Sequence, residues 1–257
     1  MAESLATADA ARLDPRLTAL RRIAIVPAHN EESSVADVVR GIVGVDPGMN
    51  VVVVDDGSHD RTGTRAREAG AHVVRLPFNL GIGGAVQTGF RYALEEGYQL
   101  AVRLDGDGQH DPRELWKLVA PILANDADIV VGSRFAGSGA YRPPLARSVG
   151  IRLFARLVSL LVGRRVTDTT SGFQALSRRA ITLFAGDYPH DYPEVEAIVM
   201  VFRHRLRLVE VPVAMRERAA GSSSITRFGS IVYASKVLLA LFVGLFRRNV
   251  TPLEEDS

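Results

Sequence analysis

The stretch Leu100-Ala101-Val102-Arg103-Leu104-Asp105-Gly106-Asp107-Gly108-Gln109-His110-Asp111 decides the reading of the chain. Its first five residues form a short, mostly apolar run and the remainder is polar, rich in glycine and carboxylates. That combination predicts a buried strand whose carboxyl end faces a ligand, because in open α/β sheets ligands sit beyond the carboxyl ends of the strands. The same pattern recurs upstream. Residues 23–26 run into Pro27-Ala28-His29-Asn30-Glu31-Glu32, and residues 51–54 into Asp55-Asp56-Gly57-Ser58. Further strands are expected at 72–76 and 129–131, with helices near 33–43, 62–69, 85–95 and 113–123. This alternation predicts an α/β fold with a mostly parallel sheet flanked by helices. The second half is less regular: a helix near 145–162, a strand-like 171–177, a helix near 194–205, a strand at 206–213, a Gly-Ser turn at 221–224 and a last helix.

With 257 residues, 47% hydrophobic and 23% charged, the chain has ordinary globular composition, which excludes a disordered or fibrous protein. It contains no cysteine, so disulfides, thiolate zinc sites, iron–sulfur clusters and a cysteine nucleophile are excluded. Net charge is only +2, yet the arginines are unevenly spread. Residues 133–166 carry Arg134, Arg142, Arg147, Arg152, Arg156, Arg164 and Arg165 with no acid, and 216–248 carries six basic residues against Glu217. Such stretches suit either a solvated face or an anionic partner such as phosphate, nucleic acid or a membrane leaflet.

The first twenty residues lack the continuous apolar core of a signal peptide. In the apolar stretch 228–246, Lys236 leaves only 237–246 uncharged. Ten helical residues rise about 15 Å, half of a hydrocarbon core, so a membrane-lying or partner-docked helix, or one folded on the domain itself, is expected rather than a span. The organisation expected is a tail at 1–20, an α/β domain at 21–225, an amphipathic membrane- or partner-associated helix at 226–248 and an acidic tail at 249–257.

Asp105 and Asp107, separated by one glycine, can turn two carboxylates toward one hard cation, with Gln109 adding an oxygen; magnesium or manganese completed by substrate phosphates suits this set. An EF-hand is excluded because Trp116 stands where its glutamate belongs. Asp55 and Asp56 are adjacent, so alternation points them apart: one is expected at a base or ribose, the other in the turn or capping the next helix. The run Asn79-Leu80-Gly81-Ile82-Gly83-Gly84-Ala85 suits either a phosphate cradle or a tightly packed helix start. Val86, in place of the third small residue, argues against a dinucleotide fingerprint.

Seven motifs then carry a resemblance: VPAHNEE at 26–32, VVDDGSHDRT at 53–62, NLGIGGAVQTG at 79–89, DGDGQHDP at 105–112, GSRF at 132–135, DTTSGFQAL at 168–176 and RAAGSSS at 218–224. Together they resemble a family 2 glycosyltransferase of GT-A fold, most similar to the branch of dolichyl-phosphate mannose synthase and bacterial polyprenyl-phosphate glycosyltransferases. The resemblance implies that Pro27, Asn30, Glu31 and Asp55 or Asp56 meet the nucleotide. Asp105 and Asp107 would be the DxD carboxylates at the diphosphate, with Asp107 and Gln109 as metal ligands and Arg134 at the mouth of the site. Asp168, Ser171, Gly172, Phe173 and Gln174 would line the acceptor side, with glutamine where many relatives have arginine. Glu196 matches a carboxylate near the sugar, and Arg218 an arginine that holds phosphate.

The activity implied is metal-dependent, inverting transfer of a sugar from a nucleotide-sugar donor to a polyprenyl phosphate. Mg2+ or Mn2+ would be the cofactor. A lipid phosphate already offers an anionic oxygen, whereas a hydroxyl acceptor needs a base, the role then open to Asp168 or Glu196. Peripheral attachment at the cytoplasmic face of the membrane is expected, through a small membrane protein or a homodimer and with no nucleic acid as partner. Two alternatives stand beside it: a polysaccharide or other cell-envelope hydroxyl as acceptor, and a non-catalytic sugar-nucleotide-binding subunit.

Overall fold

The computed structural model describes residues 14–134, 159, 167–168, 171–189 and 193–216. Most of the expected N-terminal tail, the helix near 145–162, the 226–248 helix, the acidic tail and Arg218 lie outside the described residues.

Among the described residues seven strands form one sheet: β1 Arg22–Ala28, β2 Asn50–Asp55, β3 His72–Arg75, β4 Leu100–Arg103, β5 Ile129–Ser133, β6 Gln174–Ser177 and β7 Leu208–Pro212. Their order is β3-β2-β1-β4-β6-β5-β7. The central strands β1, β2 and β4 are buried on both faces and therefore read as largely apolar runs, with Arg103 the charged exception inside β4. On β1, Ala24 and Val26 pack with helices α1 (Val35–Val45), α2 (Thr62–Glu68) and α4 (Leu115–Leu123). Ile23 and Ile25 face the other way, toward α3 (Gly81–Glu95), α5 (Arg178–Gly186) and α6 (Pro193–Arg203). The result is a three-layer α/β/α sandwich.

Two details differ from the alternating pattern. Helix α3 starts at Gly81 rather than Ala85, so the glycine run is its first turn and not a free loop. β6 runs antiparallel to both β4 and β5. The chain leaves β5 and re-enters the sheet at the same end, which puts Ser171, Gly172 and Phe173 beside the carboxyl ends of β4 and β5. β1 and β4 are neighbours although the chain between them winds outward through β2 and β3; at this switch point the strand tips diverge and leave a crevice.

Candidate active site

A cleft of ≈ 390 Å³ occupies that crevice. Pro27, Ala28, His29 and Glu31 line it from β1, Asp56 from β2, and Arg103, Asp105, Gly106 and Asp107 from β4. Asn79, Gly81, Ile82 and Ala85 close it from the start of α3. Of the residues singled out in the sequence, Pro27, Glu31, Asp56, Asp105 and Asp107 are therefore brought together.

The loop after β4 is built so that both carboxylates reach this space. Gly106 packs so closely that a Cβ would stand 3.1 Å from the Ala28 Cβ, and its carbonyl accepts the Ser34 hydroxyl at 2.8 Å. Gly108 adopts φ +78°, a conformation that favours glycine. Asp107 is buried and accepts the Gln109 amide at 3.0 Å. The Asp105 side chain is 36% exposed, but its Oδ1 is buried without a hydrogen bond, with Arg103 Nη2 3.6 Å away. Burial alone would raise its carboxyl; the His110 ring and the Arg103 and Arg134 guanidiniums outweigh that and hold it below the usual range. Arg103 is fully buried, donating Nη1–H to the Tyr188 hydroxyl at 3.2 Å. Burial pushes His110 below its ordinary value more than Asp105 lifts it, which leaves the ring neutral at pH 7. The side chain of Gln109, expected as a cation ligand, is exposed and lies outside the cleft wall.

The two carboxylates after β2 divide their work. Asp56 faces the cleft and accepts the Leu80 amide at 2.7 Å, tying β2 to the start of α3. Asp55 points inward: it accepts the Ser58 amide at 3.0 Å, and a Cβ at Gly63 of α2 would meet its Oδ2. Asp55 thus fixes the turn and is not on the cleft wall, whereas Asp56 is. Asn30 likewise is not on the wall. In a left-handed conformation (φ 56°), it donates its amide to the Ser58 hydroxyl, accepts the His59 amide and donates its side chain to His29 Nε2. It braces two loops outside the cleft wall.

Arg134 and Asp168 were expected in separate roles, but the structure joins them. Arg134 Nε and Nη2 donate to the two Asp168 oxygens, both at 2.9 Å, and Asp168 is buried. Glu210 of β7, which no sequence signal singled out, accepts the amides of Thr167 and Asp168 and holds this turn in place. Ser171 donates to the Gly132 carbonyl at 2.6 Å, Phe173 is buried, and Gln174 donates to the Ser171 carbonyl. Glu196 is half-buried on α6. Arg103 and His110 were also missed; the available signals were an arginine inside an otherwise apolar strand and a histidine next to two carboxylates.

A mixed sheet with paired carboxylates at its topological switch point is the architecture of a GT-A glycosyltransferase. Residues 23–184 match glycosyl transferase family 2. The undecaprenyl-phosphate mannosyltransferase of Micrococcus luteus is 34% identical over 222 residues, covering 83% of this chain and 90% of that protein. The polyprenol monophosphomannose synthase of Mycolicibacterium smegmatis is 31% identical, covering 80% and 81%. Among solved structures, the glucosyl-3-phosphoglycerate synthase of Mycobacterium tuberculosis in complex with Mn2+, UDP and glucosyl-3-phosphoglycerate superposes with a TM-score of 0.68 at 22% identity, covering 94% of this chain and 84% of that one. The chain belongs to glycosyl transferase family 2 and is a glycosyltransferase.

Proposed function

We propose that this chain moves a sugar from a nucleotide-diphosphate donor to a polyprenyl phosphate at a membrane surface, with inversion and with a divalent cation. The observation that carries the donor half is the convergence of Asp105 and Asp107 with Glu31 and Asp56 in one cleft. The acceptor half is supported by the names of the relatives above.

The donor set suits Mg2+ or Mn2+: two carboxylates, one with a buried oxygen that makes no hydrogen bond. Among the described residues no group of three or more His, Cys, Asp or Glu is placed to hold a metal ion by itself, so Asp105 and Asp107 would hold the cation together with diphosphate oxygens and water. When bound there, the cation neutralises charge that develops on the departing diphosphate. Arg103, on the wall of the same cleft, adds a fixed positive charge beside it. Asp56 and Asn79 stand at the end remote from β4 to receive the nucleoside.

Asp168 has both oxygens committed to one guanidinium, which makes it a poor base and a good holder of Arg134. That favours an acceptor arriving with its own anionic oxygen over a hydroxyl that must be deprotonated. Arg134 and, beyond the described residues, Arg218 would receive the acceptor phosphate, with Glu196 oriented toward sugar hydroxyls. Among the described residues no helix is long and apolar enough to cross a membrane, and the reading is of a peripheral enzyme on the cytoplasmic face.

The test is an acceptor assay with radiolabelled sugar nucleotides, Mn2+ and extracted lipids. Label is expected in an organic-phase product that mild acid releases. Label confined to water-soluble material would transfer the chain to the hydroxyl-acceptor reading.

A further inference from the structure

We propose that His110, through the Asp105 amide that its Nδ1 accepts, is the positioning residue that fixes Asp105 in the cleft and ties it to the chain leaving β7. The inference rests on the reading of Asp105 as a ligand to a cation–diphosphate complex.

The Asp105 amide donates to His110 Nδ1 at 2.9 Å. A nitrogen that accepts carries no hydrogen, so the proton of the neutral ring is on Nε2, which faces Asp105 Oδ2 at 3.7 Å. One side chain thus governs both the main chain and the carboxylate of Asp105. The ring is itself immobilised. It lies flat on Phe173, with centroids 5.0 Å apart and planes 15° from parallel. Phe173 is buried and its carbonyl accepts the Gly132 amide, which anchors the stack to β5. A Cβ at Gly172 would stand 3.0 Å from both Asp105 carboxylate oxygens. The carboxylate therefore has both the Gly172 backbone and the imidazole edge beside it, with Oδ1 making no hydrogen bond.

His110 is also a joint. Its main chain bridges to Met215, the Gln109 carbonyl accepts the Arg216 amide at 2.8 Å, and Asp111 accepts the Arg216 side chain at 2.7 Å. Displacement of the chain after β7 is therefore transmitted through His110 to Asp105. A supporting residue of this kind is expected to alter cation affinity more than fold.

The experiment uses the full chain. His110→Phe keeps a flat ring for the Phe173 stack and removes both nitrogens; His110→Asn keeps an oxygen able to accept the Asp105 amide. Mn2+ binding is read by electron paramagnetic resonance with and without a nucleoside diphosphate, and the ring nitrogens by 15N NMR of histidine-labelled protein. In wild type the His110 signal should show Nδ1 without a proton, as its acceptance of the Asp105 amide requires. His110→Phe should weaken binding of Mn2+ with nucleoside diphosphate by about tenfold or more while leaving affinity for the phosphate-free nucleoside unchanged. His110→Asn should recover most of the loss. His110→Phe binding as tightly as wild type, His110→Asn no better than His110→Phe, or a proton on Nδ1 in wild type would each overturn the proposal. If His110→Phe does not fold, the wild-type NMR signal and the His110→Asn binding decide it. Failure of lipid transfer with intact cation–nucleotide binding would remove the acceptor proposed above and leave the role of His110 standing.

Discussion

Gly172 has no side chain because Asp105 and Arg103 occupy the space: a Cβ there would lie 3.0 Å from both Asp105 oxygens and from Arg103 Nη2. Arg103 is buried and cannot swing clear, so in Gly172→Ala the carboxylate is the group that gives way. That variant should fold with a loss of about 1–3 kcal/mol, the ordinary cost of overpacking. Its apparent affinity for Mn2+, taken from a metal titration of initial rates, should fall about tenfold, as for other losses of ligand support. An unchanged metal titration would mean that Asp105 is not a ligand. The same residues show what a sequence can and cannot convey. That Asp105, Asp107, Asp56, Pro27 and Glu31 would meet at one cleft was legible because each lies at or shortly after the end of an apolar strand, and the fold brings strand ends together by construction. Arg103 was not, since its meaning depends on Tyr188, 85 positions away. The pairing of Arg134 with Asp168 spans 34 positions and made one structural unit of two residues expected to act apart.

At the scale of elements, the central strands were legible because burial on both faces forces largely apolar runs, whereas the direction of β6 is set by where the chain re-enters the sheet. Helix α3 shows how an element carries the site. It lies on β1 through Gly89, where a Cβ would clash with Ile25 Cγ2. Gly89→Ala must lift the helix, and urea unfolding should show a loss of about 1–3 kcal/mol. The donor KM should rise with it, because Gly81, Ile82 and Ala85 at the start of α3 wall the cleft. At the opposite end of the sheet, buried Asp128 joins β5 to β7 by accepting the Arg207 amide at 2.8 Å and its Nε at 3.1 Å. Burial alone would raise this carboxyl, but the hydrogen bonds from Arg207 pull it below its ordinary value. The ionised form is thus favoured in the folded chain. Its contribution is complete above the unfolded carboxyl value of about 3.9 and fades as the pH falls through the lower folded value. Asp128→Asn should therefore lower Tm at pH 7, and the gap to wild type should close on acidification below about pH 4. A gap independent of pH would show that packing at this joint, rather than charge, is what the variant lost.

For the molecule as a whole, the cleft is where independently anchored parts meet: the tips of β1, β2 and β4 and the first turn of α3. A ligand that touches all of them links parts that unfolding must separate, so its binding free energy adds to global stability. At a concentration 100 times its dissociation constant, a ligand specific for the native state adds about 2.7 kcal/mol. For a domain of this size each kcal/mol raises Tm by about 2–4 °C, so a shift of about 5–10 °C is expected from a saturating sugar nucleotide with Mn2+. The two components should not act separately. Mn2+ alone meets two carboxylates already held in a field of arginine charge, and the nucleotide alone brings a diphosphate against those same carboxylates. Each supplies the charge that the other needs, and the joint shift should exceed the sum of the two separate shifts. Asp107→Asn removes one carboxylate from the cation without emptying the nucleoside end of the cleft. It should abolish the excess while leaving the small nucleotide-only shift, and its transfer activity should be lost with the fold intact by circular dichroism. Additive shifts in wild type, or an excess that survives in Asp107→Asn, would mean that cation and diphosphate do not meet at the β4 loop.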